Sequence, residues 1–188
     1  MLKNVLIISL TTVLFLSCLS GNNVKRLSDE GFMFAMIYDW DNTPVSAVII
    51  HINGRRIVDS DIQGRFILDD MEKGEYRIRL TKRGYETIEE TFYFDPLSVL
   101  YFKMINAQQL ATLAVSAMEN TEYVYAENYI NRALILEPNR PDILYLKSIN
   151  YHLQGKNEDA IPILENLIRS GNASSAVIQL LEIVQFAE

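Results

Sequence analysis

Asp59-Ser60-Asp61-Ile62-Gln63-Gly64 sets two carboxylates two residues apart ahead of a glycine, which is how a calcium loop begins. A complete loop needs further oxygen ligands and a closing glutamate, and Ile62 and Gln63 interrupt the series. Turn chemistry explains the same residues: Asp61 accepts from nearby backbone N–H groups and Gly64 takes a positive φ. Asp39-Trp40-Asp41-Asn42 reads the same way, as a strand-to-strand turn. His51 falls on a strand pattern and His152 on a helical one, with no Cys or His at ligand spacing, so no metal site is expected. His51 is expected to be a sheet residue with one polar contact, and His152 to line a helix face. Glu89 and Glu90 are adjacent on a strand pattern and point to opposite faces, so they cannot share one substrate as acid and base. The serines lack a G-x-S-x-G setting, and no glycine-rich phosphate loop is present. The expectation is a protein that is not an enzyme, with no catalytic residue and no cofactor.

Cys18, the single cysteine, is the remaining reactive group. It stands just behind Val5–Leu16, an uncharged apolar run. That run falls short of the roughly 20 residues a spanning helix needs, and it fits the apolar core of a secretory signal, usually about 7–15 residues. No structured neighbourhood there could lower the thiol's pKa, which argues against catalysis. The run ends in small Ser17, then Cys18, and so resembles a bacterial lipoprotein signal, with Phe15 where Leu or Val is commoner. The resemblance implies a signal peptide over 1–17, a diacylglycerol (palmitate-type) modification on the Cys18 sulfur, and Cys18 as the new N-terminus. The alternative is a cleaved signal with an incidental cysteine. Each buried methylene contributes about 0.8 kcal/mol, so a triacylated cysteine would stay on the membrane. Residues 18–30 are polar and rich in Gly and Asn, which reads as a flexible tether.

The 188 residues carry a formal charge of −7 with no basic stripe beyond Lys82-Arg83-Gly84, so a nucleic-acid partner is not expected. With no second cysteine there is no disulfide, and an exported domain must be held by its core alone.

Two periods divide the remainder. From 31 to 104 the pattern is short and extended: Phe32–Tyr38, Ser46–Ile52, Arg65–Leu68 and Glu75–Lys82, then two further strands ending at Met104. Tyr76, Ile78 and Leu80 alternate with Arg77 and Arg79, which puts the apolar set on one face and the arginines in solvent. Asn53-Gly54 is a hairpin signal because both residues tolerate positive φ. Pro44 with Ala47, Ser60-Asp61 with Gly64 and Phe66, Gly74 with Tyr76, and Gly84-Tyr85 follow one another in an order that resembles the carboxypeptidase regulatory-like domain. Domains of the PEGA kind share the later part of this pattern. The resemblance implies a non-catalytic antiparallel β-sandwich of transthyretin or immunoglobulin type. The spacing from Ala47 to Gly54 leaves open whether Ile49 or Ile50 faces the core, since a one-residue slip exchanges the faces.

From 105 to 188 the period is helical, with breaks at Pro138, Pro141, Gly155 and Gly171. Ala126 recurs as Ala160, 34 residues later. The pattern resembles the tetratricopeptide repeat, a helix-turn-helix unit of about 34 residues. The units would span 107–140 and 141–174, followed by a capping helix. The first unit's small positions match Ala114, Ala126 and Ala133; Leu144, Ser148, Tyr151, Gly155 and Ala160 match the second. Pro162 is expected to kink a helix capped by Asn157. Two repeats are fewer than the three or so usually needed, so the helical half is expected to lean on the sandwich or on a second copy of the chain, as a homodimer. In this family the first helix of each unit lines a groove, which by position implies Gln108, Thr112 and Val115 in the first unit and Tyr145, Ile149 and His152 in the second. The same residues could instead pack on the sandwich or the capping helix.

The fold class expected is two-domain α+β. The function expected is a cell-envelope lipoprotein scaffold, membrane-bound through Cys18 at the outer membrane, periplasm or cell surface, holding a protein or peptide partner on the helical repeat. The alternative partner is a cell-wall or surface glycan, with Trp40 and nearby tyrosines as stacking platforms.

Overall fold

Alternating apolar residues need a second sheet to cover them, and the chain supplies one. The computed structural model describes residues 30–96 and 98–186. The apolar run, Cys18 and nearly all of the tether lie outside the described residues. One sheet has the order β4-β1-β7, from β1 (Glu30–Asp39), β4 (Arg65–Glu72) and β7 (Val99–Met104). The other has the order β3-β2-β5-β6, from β2 (Ile49–Ile52), β3 (Arg55–Asp59), β5 (Gly74–Thr81) and β6 (Ile88–Phe94). Met33, Ala35 and Ile37 of β1 meet Ile50, Ile78, Leu80 and Phe94 in one buried cluster. Burial of such side chains, at roughly 1.5–3 kcal/mol each, holds the two sheets together.

The expected sandwich is antiparallel, whereas the observed one is mixed. β7 runs parallel to β1, from Phe34 opposite Val99 to Asp39 opposite Met104. β6 lies at the edge of the other sheet, so the chain crosses between layers before β7 and returns in β1's direction. The register of β2 resolves in favour of Ile50: Ile50 pairs with Leu80 and Ile52 with Ile78, all buried, while Ile49 is half-buried. A bulge in the β2–β3 pairing leaves Ile57 as the extra residue, half in solvent.

Both acidic motifs fold as turns. Asp61 Oδ1 accepts from the N–H groups of Gln63 (2.8 Å) and Arg65 (2.9 Å), and Oδ2 accepts from Arg65 Nε (3.0 Å). The backbone N–H of Arg65 is the main cause holding the Asp61 carboxyl below its ordinary value. Asp39 Oδ1 accepts from the N–H groups of Asp41 and Thr43, both at 2.9 Å, with Asn42 at positive φ. Ser60 is buried; its hydroxyl donates to the Val45 carbonyl (2.8 Å) and accepts from Val48 N–H (3.0 Å).

The helical region holds α1 (Ala107–Glu119), α2 (Tyr123–Leu136), α3 (Pro141–Leu153), α4 (Asn157–Arg169) and α5 (Ser175–Phe186). Each packs on the next, and α3 also touches α1 and α5, so the odd-numbered helices share one row. Ala114, Ala126, Ala133 and Ala160 are fully buried, as close helix approach requires. α4 begins one residue earlier than expected: Lys156 holds the N-cap position, and Asn157 Oδ1 is engaged by His152 Nδ1 at 2.9 Å. α4 continues through Pro162. The carbonyl that Pro162 leaves without a helical donor belongs to Glu158, an exposed residue that water can serve.

The helical half meets the sandwich through a polar seam. Arg132 of α2 makes a two-pronged contact with Glu86, Nε to Oε1 at 2.8 Å and Nη2 to Oε2 at 2.7 Å. Gln109 Nε2 donates to Asp41 Oδ2 at 2.6 Å. Tyr85 forms a β-bridge with Asn106, and Glu86 N–H donates to the Ile105 carbonyl at 2.9 Å. Asn106 and Gln109 form a capping box at the start of α1, so one residue both starts the helix and reaches across the seam.

Candidate functional site

The six residues assigned to the helical groove divide by exposure. Gln108, Thr112 and Val115 stand exposed on α1. Thr112 donates its hydroxyl to the Gln108 carbonyl (3.1 Å), and Gln108 Oε1 accepts from Arg140 Nη2. On α3, Tyr145 and Ile149 are half-buried, and Ile149 packs against both helical clusters, α1–α2 and α4–α5. Tyr145 Oη reaches the Ala176 carbonyl at 3.4 Å. His152 is tied to Asn157 and holds the α3–α4 turn. The structure therefore leaves the α1 set exposed on the surface, with Gln108 held by Arg140, and turns the α3 set partly toward packing with α4 and α5.

An open cavity of about 480 Å³ lies beside α3, lined by Asp142, Tyr145, Leu167, Asn172, Ser174 and Val177 among others. Arg140 organises its neighbourhood: Nε lies 2.9 Å from Asp142 Oδ1, and Nη1 lies 3.3 Å from Glu137 Oε2. Partial burial pushes the Asp142 carboxyl up, but the Arg140 hydrogen bond and charge, with backbone donors, outweigh it and hold the group below its ordinary 3.8. A depressed carboxylate stabilises the fold fully at neutral pH. That contribution fades as pH falls below 3.8 and is gone once pH passes the folded value. Carboxyl ¹³C NMR should accordingly find the Asp142 midpoint below 3.8 and see it rise in Arg140→Gln; an unmoved midpoint would contradict the assigned cause.

A second surface lies on the outer face of the first sheet. Phe32 is 68%, Tyr101 66%, Ile67 54% and Trp40 52% exposed. Ile67, Phe34 and Val99 form one cross-strand row, and Arg65, Met36 and Tyr101 the next. Lys103 Nζ lies 5.7 Å from the centre of the Trp40 ring. Contiguous exposed apolar side chains of this kind are uncommon outside interaction sites. Sequence reasoning singled out Trp40 and nearby tyrosines but not Phe32 or Ile67. The signal was present in Phe32–Tyr38, an apolar run with no polar alternation, which reads as a strand needing cover on both faces.

Among the described residues no cluster of three or more His, Cys, Asp or Glu is placed to hold a metal ion. No helix of the described residues is long and apolar enough to cross a membrane.

These elements define a two-domain α+β protein, two facing sheets followed by five packed helices. No family model and no curated protein matches the chain. Among solved structures, a streptococcal ancillary pilin aligns at 22% identity with a TM-score of 0.35, over 41% of this chain and 29% of the pilin. A 3-chlorocatechol 1,2-dioxygenase from Rhodococcus opacus aligns at 12% identity with a TM-score of 0.34, over 42% of this chain and 60% of the dioxygenase. The chain thus spans less than two-thirds of either structure, and likenesses this distant carry no argument about function.

Proposed function

We propose that this chain is a non-catalytic scaffold of the bacterial cell envelope, lipid-anchored at Cys18, which presents a helical surface to a protein partner. The observation that carries the reading is the row of α1, α3 and α5 with Gln108, Thr112 and Val115 exposed along it. A groove of first helices is the binding face that a tetratricopeptide-like array implies, and the carboxypeptidase regulatory-like sandwich serves as its spacer. Tethering at a membrane would raise the partner's effective concentration without any new contact. A second reading is favoured by one observation, the Trp40–Tyr101–Phe32 surface: aromatic rings in the open suit stacking on a cell-wall or surface glycan.

The test has two parts. Mass analysis of native material should find Cys18 acylated; a free thiol there removes the anchor. Photo-crosslinkers placed at Thr112 and at Tyr101 in intact cells should give a discrete protein adduct from Thr112. Adducts to glycan from Tyr101, with none from Thr112, would replace the scaffold reading with the second.

A further inference from the structure

The outer face of the second sheet is polar, as the alternation in β5 requires, yet its charges are not all matched. His51 of β2, Arg79 of β5 and Glu89 of β6 stand side by side in register. With Asn53, Gly54 and Arg77 they line a pocket of about 390 Å³, within the roughly 300–1,000 Å³ of small-molecule sites. Three of its members are fixed by one another. Arg77 Nη2 lies 2.6 Å from Glu89 Oε1. Arg77 N–H donates to Asn53 Oδ1 at 3.0 Å, and Asn53 N–H donates to the Arg77 carbonyl at 2.9 Å.

Arg79 is left over. Its neighbour in register is Glu89, whose carboxylate pairs with Arg77. Arg79 has no ion pair or hydrogen bond among the described residues, although acidic groups outnumber basic ones 24 to 17 in the chain. His51 is unmatched in a different way: Nδ1 is sealed from solvent with no partner. A buried orphan N–H is rarer than an under-satisfied acceptor, so the ring proton belongs on Nε2, leaving Nδ1 as the bare lone pair. Nε2–H is then the donor that the ring can still offer to a ligand.

We infer that this pocket binds the carboxylate of a small molecule, with Arg79 as its charge partner and His51 Nε2–H as a hydrogen-bond donor. Arg77, Arg79 and Glu89 sum to one excess positive charge, which a single carboxylate cancels and a phosphate dianion would overshoot. The guanidinium fork of Arg79 matches the two carboxylate oxygens, a pairing stronger than a neutral hydrogen bond.

The chain's two histidines make the test clean. In ¹⁵N-labelled full chain, with ring signals assigned through His152→Asn, His51 should show the Nε2–H tautomer. Acetate and then N-acetylglycine, against sodium chloride at equal ionic strength, should shift the His51 ring and Arg79 Nε signals saturably and leave His152 unmoved. Arg79→Gln should raise the half-saturating concentration by about tenfold, and Arg79→Lys by less, with the amide spectrum of the sheet preserved in both. Arg79 is exposed, so neither change touches the core. An Nδ1–H tautomer, a shift that sodium chloride reproduces, a response to inorganic phosphate alone, or equal titrations for Arg79→Gln and the natural chain would each overturn the assignment.

Discussion

Gly64→Ala will destabilise the sandwich by about 3 kcal/mol or more, read as a fall in the urea midpoint of Trp40 fluorescence at constant slope. Gly64 has φ +72°, where a non-glycine residue costs about 1–2 kcal/mol. A Cβ there would also sit 2.3 Å from the Ile37 carbonyl oxygen and 3.0 Å from Val45 N, both backbone atoms that cannot swing aside. Those two atoms are the ends of one bond that fixes the turn, Val45 N–H to the Ile37 carbonyl at 2.9 Å, and Ile37 N–H in turn donates to the Gly64 carbonyl at 2.7 Å. Relief of the clash stretches one or both, at about 1 kcal/mol each. Gly54→Ala is the comparison. It has φ +80° but nothing within 4 Å of the added carbon, so only the conformational cost applies. If the two variants lose the same stability, the close approach of the turn to β1 is not what Gly64 is for.

Leu164→Ala will cost about 3 kcal/mol, and the loss will be uneven along the chain. Leu164 is fully buried in α4 with Leu167, Val177, Leu180 and Val184. Leucine truncations at such sites remove contacts and leave a cavity, costing about 2–5 kcal/mol. The α4–α5 cluster and the α1–α2 cluster meet across α3, whose Ile149 packs on both. Stacked helical units behave as neighbours coupled through their interfaces. Hydrogen exchange should therefore show α4 and α5 opening first while α1, α2 and the sheets stay protected. Uniform loss of protection over all five helices would mean that the helices unfold as a single unit. α1 and α2 are further secured by the Arg132–Glu86 and Gln109–Asp41 contacts to the sandwich. This bears on the proposed scaffold, since the exposed α1 surface lies on the half of the helical region that the sandwich supports.

Much of this protein was decided locally and could be read residue by residue. Alternation in Tyr76–Leu80 and spacing of three and four in the later segments follow from the geometry of strand and helix, so element types and most positions needed only the sequence. Asn53-Gly54 and Asp61–Gly64 specify their turns through positive φ and short side-chain bonds, again without distant partners. The capping box Asn106–Gln109 and the reach of Gln109 to Asp41 emerged only with the structure.

Only the tertiary structure decided which of two equivalent faces turned inward. It chose Ile50 over Ile49, because register is set by the opposing strand. It placed β7 parallel beside β1, a pairing that depends on which layer the chain crosses to. It left the outer side of Phe32–Tyr101 uncovered, and it set Arg79 beside a glutamate already paired with Arg77. Periodicity fixes a side chain's direction relative to its own backbone. What lies in that direction comes from segments far along the chain, and so appears only when they are brought together.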